Sequence, residues 1–138
     1  MTKRPESKFS QKFVTATKAR VHWTRIESWA LPGVPDLHGV LPGLAFWVET
    51  KIVNLRKDQK RSLTSAQIGM RPMQIQWQLN YAKAGGRVYN FVHRPSSSLV
   101  QLFDHATLSE DPWSPLTEAD DDVHGLRTMV DYIIELGH

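Results

Sequence analysis

Residues 33–51 have the sequence GVPDLHGVLPGLAFWVETK, in which a carboxylate, Asp36, follows a Gly-x-Pro turn. Twelve residues separate it from Glu49, and Lys51 stands two positions further along an almost entirely apolar run. Side chains alternate between the faces of a strand, so Glu49 and Lys51 share one face. Burying either charge alone costs several kcal/mol, so these charges must pair or bind something else.

Two interpretations of this pair are open. In the first, Glu49 and Lys51 form a plain ion pair at the end of a strand, which is common in proteins. In the second, Asp36 and Glu49 lie on adjacent strands and hold a hard divalent ion such as Mg²⁺ through oxygen ligands. Lys51 then orients or deprotonates a water, or stabilises charge that develops on a phosphate. Those are the groups that phosphodiester hydrolysis requires.

The flanking sequence predicts a mixed α/β (α+β) fold. Helical spacing, strand alternation and turn residues predict elements in the order α-β-β-β-α-β. Their expected positions are 6–17, 19–27, 36–40, 44–53, 72–84 and 87–93. An acidic, mostly helical extension is expected over 94–138, with a short element at 99–103 and a last helix from about 119 to 136. We expect 1–138 to form a single domain.

The helix expected at 72–84 separates its polar residues into two groups. At 100° per residue, Gln74 and Gln78 lie between two apolar bands and are expected to be buried. Gln76, Asn80 and Lys83 form a narrow polar wedge that is expected to face solvent. A buried amide needs hydrogen-bond partners. We expect Gln78 to bond a neighbouring backbone group and Gln74 to lie at the edge of the site.

Composition excludes several classes of protein. The chain has 138 residues, 41% of them hydrophobic, and no Cys, so it has no disulfide framework, thiol nucleophile or Cys-ligated zinc site. No apolar run is long enough to span a membrane, and the basic N-terminus has no apolar region of a secretory signal behind it. His22 and His38 lack the partners of a zinc site, so a packing or surface role is expected. A cytoplasmic protein without membrane contact is the expectation.

Charge is distributed unevenly along the chain. Residues 1–95 hold 16 Lys and Arg against 5 Asp and Glu, a balance of +11, whereas residues 96–138 hold one against nine, a balance of −8. This split suggests a polyanion-binding body, although a charged run is often only a solvated face. The connection at 54–69 is a candidate for contact with a phosphate backbone, through Arg56, Lys57, Lys60 and Arg61, and so is the nearby Arg71.

Together these motifs resemble the PD-(D/E)XK nuclease signature, with Asp36 as its aspartate and Glu49-Thr50-Lys51 as its E-x-K. More narrowly, the chain is similar to the VRR-NUC branch of that superfamily. Members show G-x-PD, then E-x-K, then a helix that begins with a Gln and ends in a Gly before a strand. The corresponding stretch is RPMQIQWQLNYAKAGGRVYNFV at 71–92, with Gln74 in the place of the motif glutamine. The resemblance covers about residues 6–93.

The resemblance implies a restriction-endonuclease-like core and an Mg²⁺- or Mn²⁺-dependent endonuclease. Its metal would be held by Asp36, Glu49 and the backbone carbonyl of Thr50, with Lys51 and Gln74 near the attacking water. Glu6 is a candidate for a further catalytic acid, because related nucleases often carry an acidic residue on the first helix. The alternative interpretation, a solvated glutamate in the first turn of a helix, is equally open.

Small stand-alone proteins of this kind are similar to Holliday junction resolvases, which act as homodimers on branched DNA and are often encoded by phages. A DNA partner, a homodimer and no small-molecule cofactor are therefore expected. The C-terminal helix is one possible dimer element, and core packing in the same subunit is the other. The same chemistry on flaps, nicks or other DNA is an alternative, as is a catalytically inactive nucleic-acid-binding module. An accidental E-x-K in an unrelated α/β protein is a third.

Overall fold

The computed structural model describes residues 5–26, 33–54, 63–104 and 113–137, without the side chains of 5–7 and 65–66. Four α-helices and six β-strands are found in these ranges. The helices are α1 (Pro5–Thr17), α2 (Ser65–Ile68), α3 (Pro72–Lys83) and α4 (Val123–Gly137). The strands are β1 (His22–Arg25), β2 (Leu37–Leu41), β3 (Leu44–Ile52), β4 (Val88–Arg94), β5 (Leu99–Asp104) and β6 (Thr117–Asp120), with a 3₁₀ turn at Pro95–Ser97.

The six strands form one mixed sheet in which sequence neighbours are also spatial neighbours. All pairs are antiparallel except β3 and β4, which are parallel because α3 carries the chain back across the sheet between them. The register sets Leu37 opposite Val48 and Glu49 opposite Asn90. The sheet therefore places the turn before β2 beside the C-terminal half of β3.

The two faces of the sheet carry different cores. On one face α1 and α4 pack over the even-numbered residues of β3, and Phe13, Phe46 and Phe91 are fully buried there. The other face is covered by α2 and α3 and by a smaller cluster that includes Val92 and Trp113. The second face carries buried charged side chains at its centre, which is where Glu49 and Lys51 lie.

The N-terminal two-thirds of the chain has the elements that the sequence predicts, with ends shifted by a few residues. The first strand is shorter than expected, because only His22–Arg25 pairs with β2. The connection after β3 is not wholly irregular. Its last part contains α2, and Leu63 bridges to Trp113. Residues 55–62, which include four of the predicted DNA contacts, lie outside the described residues.

The extension expected to be mostly helical contains the helix α4 and also adds two strands to the sheet. The last helix begins at Val123 rather than near 119, because Thr117–Asp120 pairs with β5 as β6. Asp122 then accepts a hydrogen bond from the backbone N–H of Gly125 at 2.7 Å, which caps the first turn. The apolar stripe of α4, including Leu126 and Met129, is fully buried in the same chain's core. In the described ranges no helix combines the length and apolarity that a bilayer span requires.

Candidate active site

The turn before β2 fixes the position of Asp36. Gly33 has a φ of +89°, and a Cβ there would stand 2.6 Å from the carbonyl oxygen of Met73, so only glycine fits both the backbone and the contact with α3. Pro35 is buried, and the carbonyl of Asp36 accepts a hydrogen bond from the N–H of Ile26 at 2.7 Å. The Gly-x-Pro-Asp sequence thus locks the carboxylate against both a neighbouring strand and a helix.

Strand β3 places Glu49 and Lys51 on the face that α3 covers. Glu49 is 3% exposed and Lys51 is 7% exposed, so both charged side chains are buried. Asp36 immediately precedes Leu37, whose partner is Val48, so its carboxylate enters the site from the neighbouring strand beside Glu49. The structure therefore brings together the three charged residues that the sequence singles out.

Thr50 joins the aspartate to the first helix. Asp36 Oδ2 accepts hydrogen bonds from Thr50 N at 3.1 Å and from Thr50 Oγ1 at 2.7 Å. Ser10 Oγ lies 2.7 Å from the same hydroxyl, and both side chains are buried. Because the single hydroxyl proton of Thr50 goes to Asp36, Ser10 must be the donor to Thr50. Its role in this chain of bonds was missed from sequence, where a serine among helical polar residues gives no distinct signal.

Lys51 does not form the ion pair with Glu49 that one interpretation of the sequence expects. Within the described chain the Lys51 ammonium has no carboxylate at salt-bridge distance and no hydrogen-bond acceptor. A nearly buried cation without a partner is unfavourable unless the site is built to receive an anion. The plain ion-pair interpretation is therefore wrong, and the site keeps a positive charge that no described carboxylate neutralises.

Helix α3 contributes two buried glutamines to the same face. Gln74 is 5% exposed, and its Oε1 accepts a hydrogen bond from the backbone N–H of Arg71 at 2.9 Å. Gln78 is fully buried, but its partner is not the backbone that the sequence led us to expect. Its amide exchanges two hydrogen bonds, of 2.7 and 2.8 Å, with the side chain of Asn90. Asn90 lies opposite Glu49 on β4, so this pair ties α3 to the strand beside the site.

The predicted exposure of the polar wedge of α3 is confirmed. Gln76, Asn80 and Lys83 are all exposed, and the Gln76 amide donates to Asn80 Oδ1 at 2.9 Å. The polar wedge therefore faces solvent, as the helical spacing predicts.

An aromatic cluster borders the site on the side of β2. Trp47 contacts the rings of His38, Trp77 and Tyr81 at centroid distances of 4.7, 5.5 and 6.4 Å. Burial lowers the pKa of His38 below its ordinary value, because the charged imidazolium loses hydration there. His38 therefore has the packing role expected from sequence, and His22 has the surface role, since it is exposed.

Several predicted site residues lie outside the described part of the chain. The side chain of Glu6 lies outside the described residues, although its backbone belongs to α1. Arg56, Lys57, Lys60 and Arg61 fall in the range 55–62 and are likewise outside. Arg71 is exposed at the N-terminus of α3, three residues before Gln74.

The donor atoms suit a hard divalent cation. In the parts of the chain that are described, no group of three or more His, Cys, Asp and Glu side chains could hold a metal ion. Asp36 and Glu49 nevertheless supply two carboxylates. Both hydrogen bonds that the described residues make to the Asp36 carboxylate fall on Oδ2, so Oδ1 has no partner among them. With the backbone carbonyl of Thr50 as a third ligand, the set consists only of oxygen, which Mg²⁺ and Mn²⁺ prefer.

Comparison with known proteins gives a fold but no family. No family profile matches the chain, and no curated protein matches it. Among solved structures, the chain is similar to Hjc, a Holliday junction resolvase from the archaeal hyperthermophile Archaeoglobus fulgidus. The TM-score is 0.52 and the sequence identity is 15%, over 89% of each chain, so the likeness reaches beyond residues 6–93 into the C-terminal part. The chain thus has the mixed α+β fold of that resolvase, a six-stranded sheet flanked by helices.

Proposed function

We propose that the chain is a metal-dependent endonuclease that hydrolyses DNA phosphodiester bonds and prefers branched DNA. The observation that carries the proposal is Lys51, a nearly buried cation whose ammonium has no partner among the described residues, beside two carboxylates on adjacent strands. A phosphodiester is the anion that would use both features, because its hydrolysis needs an activated water and stabilisation of charge on the phosphate oxygens.

In this proposal Asp36, Glu49 and the carbonyl of Thr50 hold Mg²⁺ or Mn²⁺. The bound ion would supply Lewis-acid stabilisation of the phosphate and a water of lowered pKa. The hydrogen bonds from Thr50 orient the Asp36 carboxylate, because both are donated to Oδ2 and so fix the direction in which Oδ1 points.

The remaining groups orient the reactants. Lys51 places its ammonium at the scissile phosphate or at the attacking water, and the buried surroundings strengthen its electrostatic effect. Gln74 has its Oε1 engaged by Arg71, so its amide Nε2 is the atom left to donate to the water or to a phosphate oxygen. Glu6 is the proposed further acid, since α1 is tied to the site through Ser10.

The choice of branched DNA rests on the fold that the chain shares with a Holliday junction resolvase. We further propose that residues 1–138 act as one nuclease domain and as a homodimer, because two symmetric cuts need two sites related by a two-fold axis. The basic residues Arg56, Lys57, Lys60, Arg61 and Arg71 would hold the DNA backbone. We also propose that the chain is related to the VRR-NUC proteins, that it is encoded by a phage, and that it acts in the cytoplasm in DNA recombination or repair.

The test is cleavage of a labelled four-way junction, a matched linear duplex and a flap, in Mg²⁺, Mn²⁺ or EDTA. We expect paired symmetric nicks in the junction, lost in EDTA and in Lys51→Ala. Cleavage of flaps or linear duplex instead would keep the chemistry and reject the junction preference. Tight DNA binding without cleavage in any metal would reject the enzyme in favour of a binding module.

A further inference from the structure

We infer that the groove between α1 and α4 is a second phosphate-backbone site, on the far side of α1 from the candidate active site. The groove has a volume of about 530 Å³ and is lined by Lys8, Gln11, Lys12 and Thr15 of α1 and by Val123 and Arg127 of α4. Its lining thus carries three cations and one hydroxyl, which are groups that donate hydrogen bonds to phosphate oxygens.

No described carboxylate neutralises the three cations of this groove. Across the described ranges, Lys8, Lys12 and Arg127 have no carboxylate at salt-bridge distance. By contrast, Arg20, which follows α1, pairs with Asp131, one turn beyond Arg127 on α4. A polyanion entering the groove therefore need not break an existing ion pair.

Arg127 is the single basic residue after position 95, and its guanidinium is held in place. Its Nε donates to the carbonyl oxygen of Ala16 at 2.9 Å, near the C-terminus of α1. This bond leaves the two terminal nitrogens for a ligand. A fixed guanidinium loses less rotamer entropy on binding than a mobile side chain does, which favours phosphate recognition.

The acidic run that precedes α4 does not occupy the groove. Asp121 lies 2.9 Å from His93 Nε2, and Asp122 caps the first turn of α4 through Gly125. Both carboxylates thus have partners of their own, and neither residue lines the groove. The C-terminal segment, although acidic in total, contributes a cation rather than an anion to this surface.

The position of the groove gives it a role in the proposed function, on which this inference rests. Ser10 faces the site, and residues two positions away on a helix point about 200° around it. Lys8 and Lys12 therefore lie on the opposite side of α1 from Ser10, and both are exposed. A duplex cleaved at the site could continue past α1 and lay its backbone in the groove, so the groove would bind an arm of the substrate.

The experiment measures binding apart from cleavage. Fluorescence anisotropy of a labelled junction and duplex in EDTA is recorded against salt concentration for the unmodified protein, Lys8→Gln/Lys12→Gln and the control Lys83→Gln. Each phosphate contact contributes about 0.9 to the slope of log affinity against log salt. We expect the slope of the double variant to fall by about 2 and its affinity at 0.1 M salt to fall about 50-fold. The exposed lysine of α3 should leave both unchanged.

Failure of this inference differs from failure of the proposed function. An unchanged slope in the double variant, with cleavage intact, would overturn the groove and leave the nuclease standing. A lowered slope in a protein that cuts no DNA would support the groove and reject the nuclease. If the double variant instead lost a concentration-dependent dimer with DNA affinity unaltered, the groove would belong to the acidic segment of a second copy, and the inference would be wrong.

Discussion

Replacing Lys51 with methionine should make the protein more stable and abolish cleavage. Methionine has a similar length and flexibility but no charge. Lys51 is 7% exposed and its ammonium has no hydrogen bond or ion pair in the described structure, so the folded state bears the cost of desolvating the charge. Removal of the ammonium should relieve that cost while deleting the group proposed to act on phosphate.

The size of the gain follows from burial. An isolated ammonium in an apolar interior costs several kcal/mol, but the remaining exposure and nearby carboxylates of this site reduce that cost. We expect Lys51→Met to raise the free energy of unfolding by about 1–2 kcal/mol. For a chain of this size such a change raises Tm by about 3–8 °C. Most core substitutions are destabilising, so the sign of the shift is informative.

The assay is thermal unfolding without divalent metal, together with single-turnover cleavage of the junction. Lys83→Met is the matched control, because Lys83 is exposed on α3 and its loss should change stability by less than about 0.5 kcal/mol. A Lys51→Met protein that is less stable than the original would refute the reasoning, since it would show that the ammonium stabilises the fold. Retained cleavage in a stable Lys51→Met protein would equally refute the role proposed for the lysine.

Three further predictions address the surroundings of the site. Thr50→Val should lower the free energy of unfolding by about 1–3 kcal/mol and remove most of the cleavage activity. Thr50→Ser, which keeps the hydroxyl, should retain the stability and the activity, and equal losses in the two variants would contradict this. Gln78→Met and Asn90→Leu should each lower the free energy of unfolding, measured in urea, by about 1–3 kcal/mol. The loss in the double variant should be smaller than the sum of the two single losses by about 1 kcal/mol or more, and strictly additive losses would argue against the paired amides. Burial lowers the pKa of His38, so protonation of this residue should quench Trp47 fluorescence with a midpoint below pH 6.5. The pH dependence should disappear in the control variant His38→Gln. Because the unfolded chain takes up this proton first, the stability that His38 contributes above pH 6.5 should be lost as the pH falls below that value.

Sequence reasoning worked best where one residue type satisfies several local demands at once. Gly33 supplies a positive φ and a close approach, and the apolar strand β3 alternates in a way that fixes the shared face of Glu49 and Lys51. The burial of Gln74 and Gln78 also followed from helical spacing alone. These features depend on residues near one another in the chain, which is why pattern and spacing were sufficient.

Features that depend on distant pairing were not accessible in the same way. Thr117–Asp120 has the sequence TEAD, which has no strand signal of its own, and becomes β6 only because β5 offers it an edge. The partner of Gln78 was mistaken because a side-chain amide 12 positions away competes with nearer backbone groups. Asn90 could have been suspected as the polar residue in the centre of an apolar strand, but its partner could not.

Strand β3 organises the site from both of its faces, and this has a consequence for how the protein can be altered. Its odd positions, Glu49 and Lys51, present charge toward α3, whereas the even position between them, Thr50, bonds Asp36 and receives a bond from Ser10 of α1. The carboxylate is therefore held by a residue whose own support lies in the core on the other face. A change in the packing of α1 would then shift Asp36 relative to Lys51 without touching either residue. The geometry of the site therefore depends on the packing of the main core. Changes in the packing of α1 against α4 should affect cleavage even in variants that keep every charged residue of the site.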